Sequence, residues 1–192
     1  MTDVFDVIGA DHREQERLLA DLEIVPSRAD GATEAQLTAR KQLAETLIIE
    51  ASGHEAVEEQ YFWPTVRDRV PDGDQLADHA IAQENEAKHV LDRLSRAQPA
   101  EGEFDELIAT FIPAAREHIA YEERTVWPAL RTAITPDEAS ELGKKIADAK
   151  KLAPTRPHPH TPANPAVLKT AGPAVAAADK LRDSMSGRSD LT

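Results

Sequence analysis

The 192-residue sequence contains no cysteine. Disulfides, thiolate nucleophiles, cysteine zinc sites and cysteine-ligated iron–sulfur clusters are therefore excluded. Aromatic residues are scarce, at 4%, but hydrophobic residues reach 41%, enough for a core. Ala, Glu, Leu and Arg dominate instead, a composition that leans helical. No apolar run approaches the roughly 18 residues of a membrane span. The opening MTDVFDVIGADHREQE lacks the basic-then-apolar layout of a secretory leader, so a cytoplasmic protein is expected. Also missing are a phosphate-cradling glycine loop, a Walker-type motif and a Ser-His-Asp set. The net charge of −13 would repel phosphates, which argues against nucleic acid as a partner.

The charge is unevenly spread. Residues 1–150 carry 16 basic and 32 acidic side chains, whereas residues 151–192 carry six and three. Four helix-length segments fit the acidic part, near Asp3–Glu23, Thr33–Arg69, Asp74–Ala97 and Phe104–Ala133. PDGD after Val70 reads as a turn, and Thr135 with Glu138 reads as the capping pair of a short further helix. Short connections between such segments predict an all-α, up-down-up-down four-helix bundle over 1–150. Residues 151–192 form a Pro-rich extension in which APTRPHPHTPANPAVLK reads as extended chain and Val175–Met185 as a short helix. Two readings of this tail stay open: an unpacked tail, or a basic strap across the acidic bundle or a second copy. Pro64, Pro128 and Pro113 fall inside helical pattern; bends are expected at the first two, and a bend or local widening at Pro113.

Two stretches repeat one pattern, HEAVEEQYFWPTVR from His54 and HIAYEERTVWPALR from His118. On a helix, residues i and i+4 project from one face a turn apart. His54 with Glu58, and His118 with Glu122, each lie on an apolar stripe. A glutamate facing a core is costly to keep charged unless it is paired or bound to metal. Two such pairs on facing helices bring two imidazoles and two carboxylates to one point, as bundle proteins do to hold a pair of metals. The neighbouring Glu59 and Glu123 project away and are expected to pair with basic residues. Trp63 and Trp127 read as packing, and His158 and His160 as parts of a solvated linker.

The repeats, together with Asp11–His12, resemble the hemerythrin-like (HHE cation-binding) family over residues 4–133. The resemblance implies a four-helix bundle around a non-haem centre of two iron ions, oxo- or hydroxo-bridged. It implies His12, His54, Glu58, His118 and Glu122 as ligands, with Glu58 and Glu122 able to bridge. It implies oxygen-species chemistry with a small oxidant as partner: dioxygen, peroxide or nitric oxide.

The family expects another histidine on the third helix, where His79 and His89 are present. His89 points nearly opposite the stripe of Ala87, Leu91 and Leu94, and His79 lies on its flank. Glu84 is at the stripe's centre, in the register that His12 holds before Leu18, Leu19 and Leu22. Glu84 is therefore expected to replace the histidine, with His79 as the alternative. Three histidines and three carboxylates favour the ferric state and shift the expectation from dioxygen carriage toward sensing or turnover, including catalase- or peroxidase-like consumption of peroxide. Tyr61, seven after His54 and three after Glu58, shares their face and is a candidate catalytic phenol. Competing readings are a metal storage or delivery protein without turnover, and an interaction module without metal. A monomer or a homodimer is equally compatible with the sequence.

Overall fold

A computed structural model of the protein describes residues 2–160 and 165–186. Its helices are α1 (Val4–Ile24), α2 (Glu34–Val57), α3 (Trp63–Arg69), α4 (Gly73–Arg96), α5 (Gly102–Tyr121), α6 (Trp127–Ala133), α7 (Pro136–Lys150) and α8 (Pro165–Ser186). There is no strand among the described residues. The four long segments of the bundle are α1, α2 continued by α3, α4, and α5 continued by α6.

Local chemistry sets the helix starts. Asp3 and Asp6 exchange side-chain and backbone hydrogen bonds at the head of α1, and Thr33 and Gln36 do the same for α2. Thr135 and Glu138 form the reciprocal cap of α7 that the sequence predicts. The expected turn after Val70 is tight. Asp72 takes a left-handed conformation with φ 58°, and a Cβ on Gly73 would collide with the Val66 carbonyl. Gly143 has a similar role in docking α7 onto the start of α1, since a Cβ there would lie 2.6 Å from the Asp3 carbonyl carbon.

Two π turns interrupt the helices, at Glu58–Phe62 between α2 and α3 and at Glu122–Val126 between α5 and α6. Both run into Trp-Pro. Pro64 and Pro128 lack an N–H, and their rings press on the carbonyls four residues back. The Trp63 N–H reaches Glu58 O and the Trp127 N–H reaches Glu122 O, each closing a wider turn. The disturbance expected at these prolines is therefore a widening, placed on the glutamates of the repeats. Pro113 shows no such widening, and α5 stays α-helical past it.

The tail departs from expectation. The sequence predicts extended chain over 153–169 and a short helix over Val175–Met185, but α8 begins at Pro165 and contains Pro173. Pro165, in the first turn, loses no helical bond, because that N–H has no partner within the helix in any case, whereas Pro173, inside α8, forgoes one. The extended chain expected over 161–164 lies outside the described residues.

The core has two apolar ends and a polar middle. One end gathers Ile8, Phe62, Trp63, Val66, Ala77 and Leu130. The other gathers Leu18, Leu22, Leu47, Leu91, Leu94 and Phe104. Along every long segment a polar residue stands between them: His12 on α1, His54 and Glu58 on the second, Glu84 on α4, His118 and Glu122 on the last. Apolar burial at roughly 25 cal/mol per Å² is what sustains so much buried polarity in between.

Arg40 closes one end of the bundle. It is buried and donates to the carbonyls of Leu22 (2.5 Å) and Val25 (2.8 Å) and to Asp105 (2.9 Å). These are unsatisfied carbonyls at the C-terminus of α1. Arg40→Ala strands them and costs about 3 kcal/mol. Chemical denaturation checks this, with the urea midpoint expected to fall.

Candidate metal centre

The polar middle converges. His12, His54, Glu58 and Glu122 offer ligand atoms that all lie within 4.8 Å of one another. Glu58, Glu84, His118 and Glu122 form a second group of the same compactness. The two groups share Glu58 and Glu122, the glutamates at which both π turns begin.

Each histidine is oriented the same way. His12 sets Nδ1 3.0 Å from Glu123 and turns Nε2 toward Glu122, at 3.3 Å. His54 has Nδ1 3.5 Å from Asp11 and Nε2 3.2 Å from Glu58. His118 bonds Gln83 through Nδ1 at 3.1 Å and points Nε2 at Glu122, at 2.8 Å. His12 and His118 are thus hydrogen-bonded outside through Nδ1, His54 Nδ1 faces Asp11 without a hydrogen bond, and all three aim Nε2 at a common point, as imidazoles are held for metal. The inward atoms, Nε2 of all three histidines, both oxygens of Glu58 and Glu122, and Glu84 Oε2, are buried without a hydrogen bond. So many unsatisfied lone pairs in an apolar bundle fit a cation, not a hydrogen-bond network.

Without a cation, protons bear the load. Burial raises Glu58 well above its ordinary value, and the charges of Glu122 and Glu84 push it further. Burial likewise raises Glu84 well above the carboxylate range, despite His118 and Lys88 nearby. Burial opposes charge on His118, but the Glu122 carboxylate outweighs it and raises His118 to about 9. Glu122 is the ionised member: burial works against it, and His118 and His12 more than offset that and lower it. His12 is raised because Glu122 and Glu123 outweigh its burial. His54 is lowered chiefly by burial, against the pull of Asp11.

Several supporting residues were not assigned from the sequence. Asp11 bonds Lys150 of α7 as well as facing His54. Glu59 pairs with buried Lys88, as expected of a residue turned from the cluster. Glu123 finds His12 instead of a lysine or arginine. The tryptophans do more than pack: Trp63 donates its indole N–H to Glu84 Oε1 at 2.5 Å, and Trp127 stacks on His12 with ring centroids 5.3 Å apart. Trp63→Phe removes the Glu84 donor while keeping the site aromatic. It is expected to cost about 1–3 kcal/mol in the metal-free protein and to weaken metal binding about tenfold. Thermal unfolding and a metal titration read the two effects.

Other candidates stand apart. His79 is exposed, with its ring edge against Tyr121, and His89 is exposed near His160. His158 meets the buried Asp179 at 2.8 Å and so is not a free linker residue. Tyr61 is half-buried and lines an outer groove with Pro64, Asp68, Leu142 and Lys145. The α-helical count that put Tyr61 on the face of His54 and Glu58 fails across the π turn, where each residue turns through a smaller angle. A separate cavity of about 290 Å³ opens between α4 and α5 and reaches His118, Glu84 and His54.

A helical bundle whose buried middle can hold a metal on histidine and glutamate side chains is the class that fold and site define. The family model of the hemerythrin HHE cation binding domain matches residues 3–130, and the chain belongs to that family. No functionally curated protein matches it significantly. The crystal structure of a hemerythrin HHE cation binding domain-containing protein from Mycobacterium kansasii is similar, with a TM-score of 0.65 at 24% identity. The similarity covers 79% of this chain and 86% of that one, and it concerns the fold. Among the described residues, no helix is long and apolar enough to cross a membrane.

Proposed function

We propose that the protein is a non-haem di-iron protein that senses or turns over a small oxidant, with peroxide the first substrate to test. His12, His54, Glu58 and Glu122 would hold one iron; Glu58, Glu84, His118 and Glu122 would hold the other. The observation that carries this is the pair of four-residue groups sharing two glutamates. One divalent cation would leave part of this acid unneutralised; two would use all of it, with Glu58 and Glu122 available to both. Bound iron supplies Lewis acidity and one-electron redox change.

The protein's own groups set the rest. Three carboxylates beside three imidazoles are hard donors and favour the ferric ion, which suits turnover better than reversible carriage. The cavity between α4 and α5 gives a diatomic or peroxide-sized molecule a way to the His118 side. Glu84 is held by Trp63, so that arm of the site is fixed before a ligand arrives.

The test is iron content and peroxide decay on one iron-loaded sample. About two irons per chain with metal-dependent loss of peroxide is expected. Two irons without consumption of peroxide or nitric oxide would point to storage or delivery, and no bound iron would overturn the assignment.

A further inference from the structure

The C-terminal segment lies beyond the residues that the family model matches, and it is built onto the bundle beside the metal centre. The chain after α7 crosses α2 at Gly53, one residue from His54. A Cβ on Gly53 would touch Ala153 at 3.6 Å. Thr155 is buried on this path. Helix α8 then returns over the π turn Glu58–Phe62, with Gly172 against Gln60.

Two aspartates fasten the return. Asp183 accepts from the Thr155 hydroxyl and from Arg156 Nη2, the latter at 2.7 Å. Asp179, one turn earlier, lies 2.8 Å from His158 Nε2 and 3.6 Å from Arg182 Nη1. Both residues are almost fully buried, Asp179 at 0% and Asp183 at 1% exposure. Buried carboxylates one helical turn apart, paired to nearby residues of one strap, make a specific fastening.

Beneath the fastening is a cavity of about 50 Å³, lined by Ser52, Glu55, Glu59 and Lys88 of the bundle and by His158 and Val175 of the tail. At about 10–15 Å³ per water, it holds a few waters or one molecule of hydrogen peroxide's size. Ser52 Oγ and Glu55 Oε2 are buried there without a partner. Lys88 is engaged by Glu59. Arg156, which also lines the cavity, is engaged by Asp183. A hydroxyl both donates and accepts and a carboxyl oxygen accepts, so Ser52 and Glu55 suit a small hydroxylic molecule. Glu55 also lines the larger cavity that reaches His118 and His54, so this side chain is common to the chamber and to the approach to the centre.

We propose that residues 151–160 and α8 form a latched lid over a polar side chamber, which admits a small hydroxylic molecule, of the size of water or hydrogen peroxide, to Glu55 at the flank of the metal centre. The peroxide arm of this proposal rests on the function proposed above; the lid and chamber do not.

The absence of native cysteine allows a direct test in the full chain. Ser52→Cys places one thiol in the chamber, and Thr38→Cys places a reference thiol on the exposed face of α2. Both variants are treated with methyl methanethiosulfonate and with its bulkier sulfonatoethyl analogue, with and without Asp179→Asn/Asp183→Asn. Helicity by circular dichroism confirms folding. Unlatching should speed labelling of the chamber thiol by about tenfold or more and leave the reference thiol unchanged. The bulkier reagent should be disfavoured at the chamber thiol of the latched protein relative to the reference thiol. Equal rates for the chamber thiol in latched and unlatched proteins overturn the lid, and equal treatment of the two reagents overturns the small size of the ligand. In iron-loaded protein without the added thiols, unlatching should raise kcat/KM for peroxide by about threefold or more. An unchanged value overturns the route to the centre. If the wild type consumes no peroxide, the proposed turnover fails, and the thiol rates still decide for or against lid and chamber.

Discussion

Glu122→Ala is expected to empty both metal positions at once. Glu122 belongs to both ligand groups, lies between His12 and His118, and keeps its charge where Glu58 and Glu84 do not. Removing it takes a donor from each position and the anion that lets two imidazoles face inward. Iron per chain should fall from about two to below about a tenth, as judged by plasma mass spectrometry. His12→Ala and Glu84→Ala each touch one group, and each should leave about one iron. In the metal-free state Glu122→Ala also strands two buried imidazoles, at about 3 kcal/mol. Circular dichroism separates loss of metal from loss of fold. Retention of one iron by Glu122→Ala would show that the groups do not share it.

Removing the metal should make stability depend on pH in an unusual direction. Glu55 is raised by burial from 4.5 to about 7, and Glu58 and Glu84 are raised well above 4.5. From about pH 5 upward, the folded state therefore holds protons that the unfolded chain has released, and stability falls as pH rises. His118 adds the same sign: its contribution is complete below 6.5 and is lost as pH climbs through about 9. His12, raised as well, acts alike. His54, lowered by burial, opposes this only below 6.5. Glu122 matters only as pH falls through its lowered value, outside this window. The metal-free protein should lose on the order of 3–5 kcal/mol between about pH 5.5 and about pH 8.5, about 10 °C in Tm. Saturating metal should abolish the fall, release about two to three protons on binding, and add about 4 kcal/mol at a thousandfold excess over Kd. Differential scanning calorimetry at the two pH values checks this. A Tm that rises with pH in the metal-free protein would contradict it.

What could be read from the sequence follows from how local each signal is. The i, i+4 pairs His54–Glu58 and His118–Glu122 come together because helical geometry alone sets their direction. The placing of Glu84 in the buried layer follows from counting back from Leu91 and Leu94 along one helix. The caps at Thr135 and the turn before Gly73 are equally local. The anchors of the imidazoles were out of reach, because Glu123, Asp11 and Gln83 meet their histidines across helices. Tyr61 went astray for a local reason that was visible: the ring of Pro64 presses on the Gln60 carbonyl, and a turn widened there moves every residue after Glu58 off the α-helical count. The helical start of α8 was hidden by Pro165, whose cost in a first turn is small.

The most direct measurement is a crystal structure of the iron-loaded protein with anomalous differences collected at the iron edge. Two peaks about 3.5–4 Å apart, with Glu58 and Glu122 between them, are expected. A single peak, or peaks held by residues outside this buried layer, would contradict a shared two-cation centre.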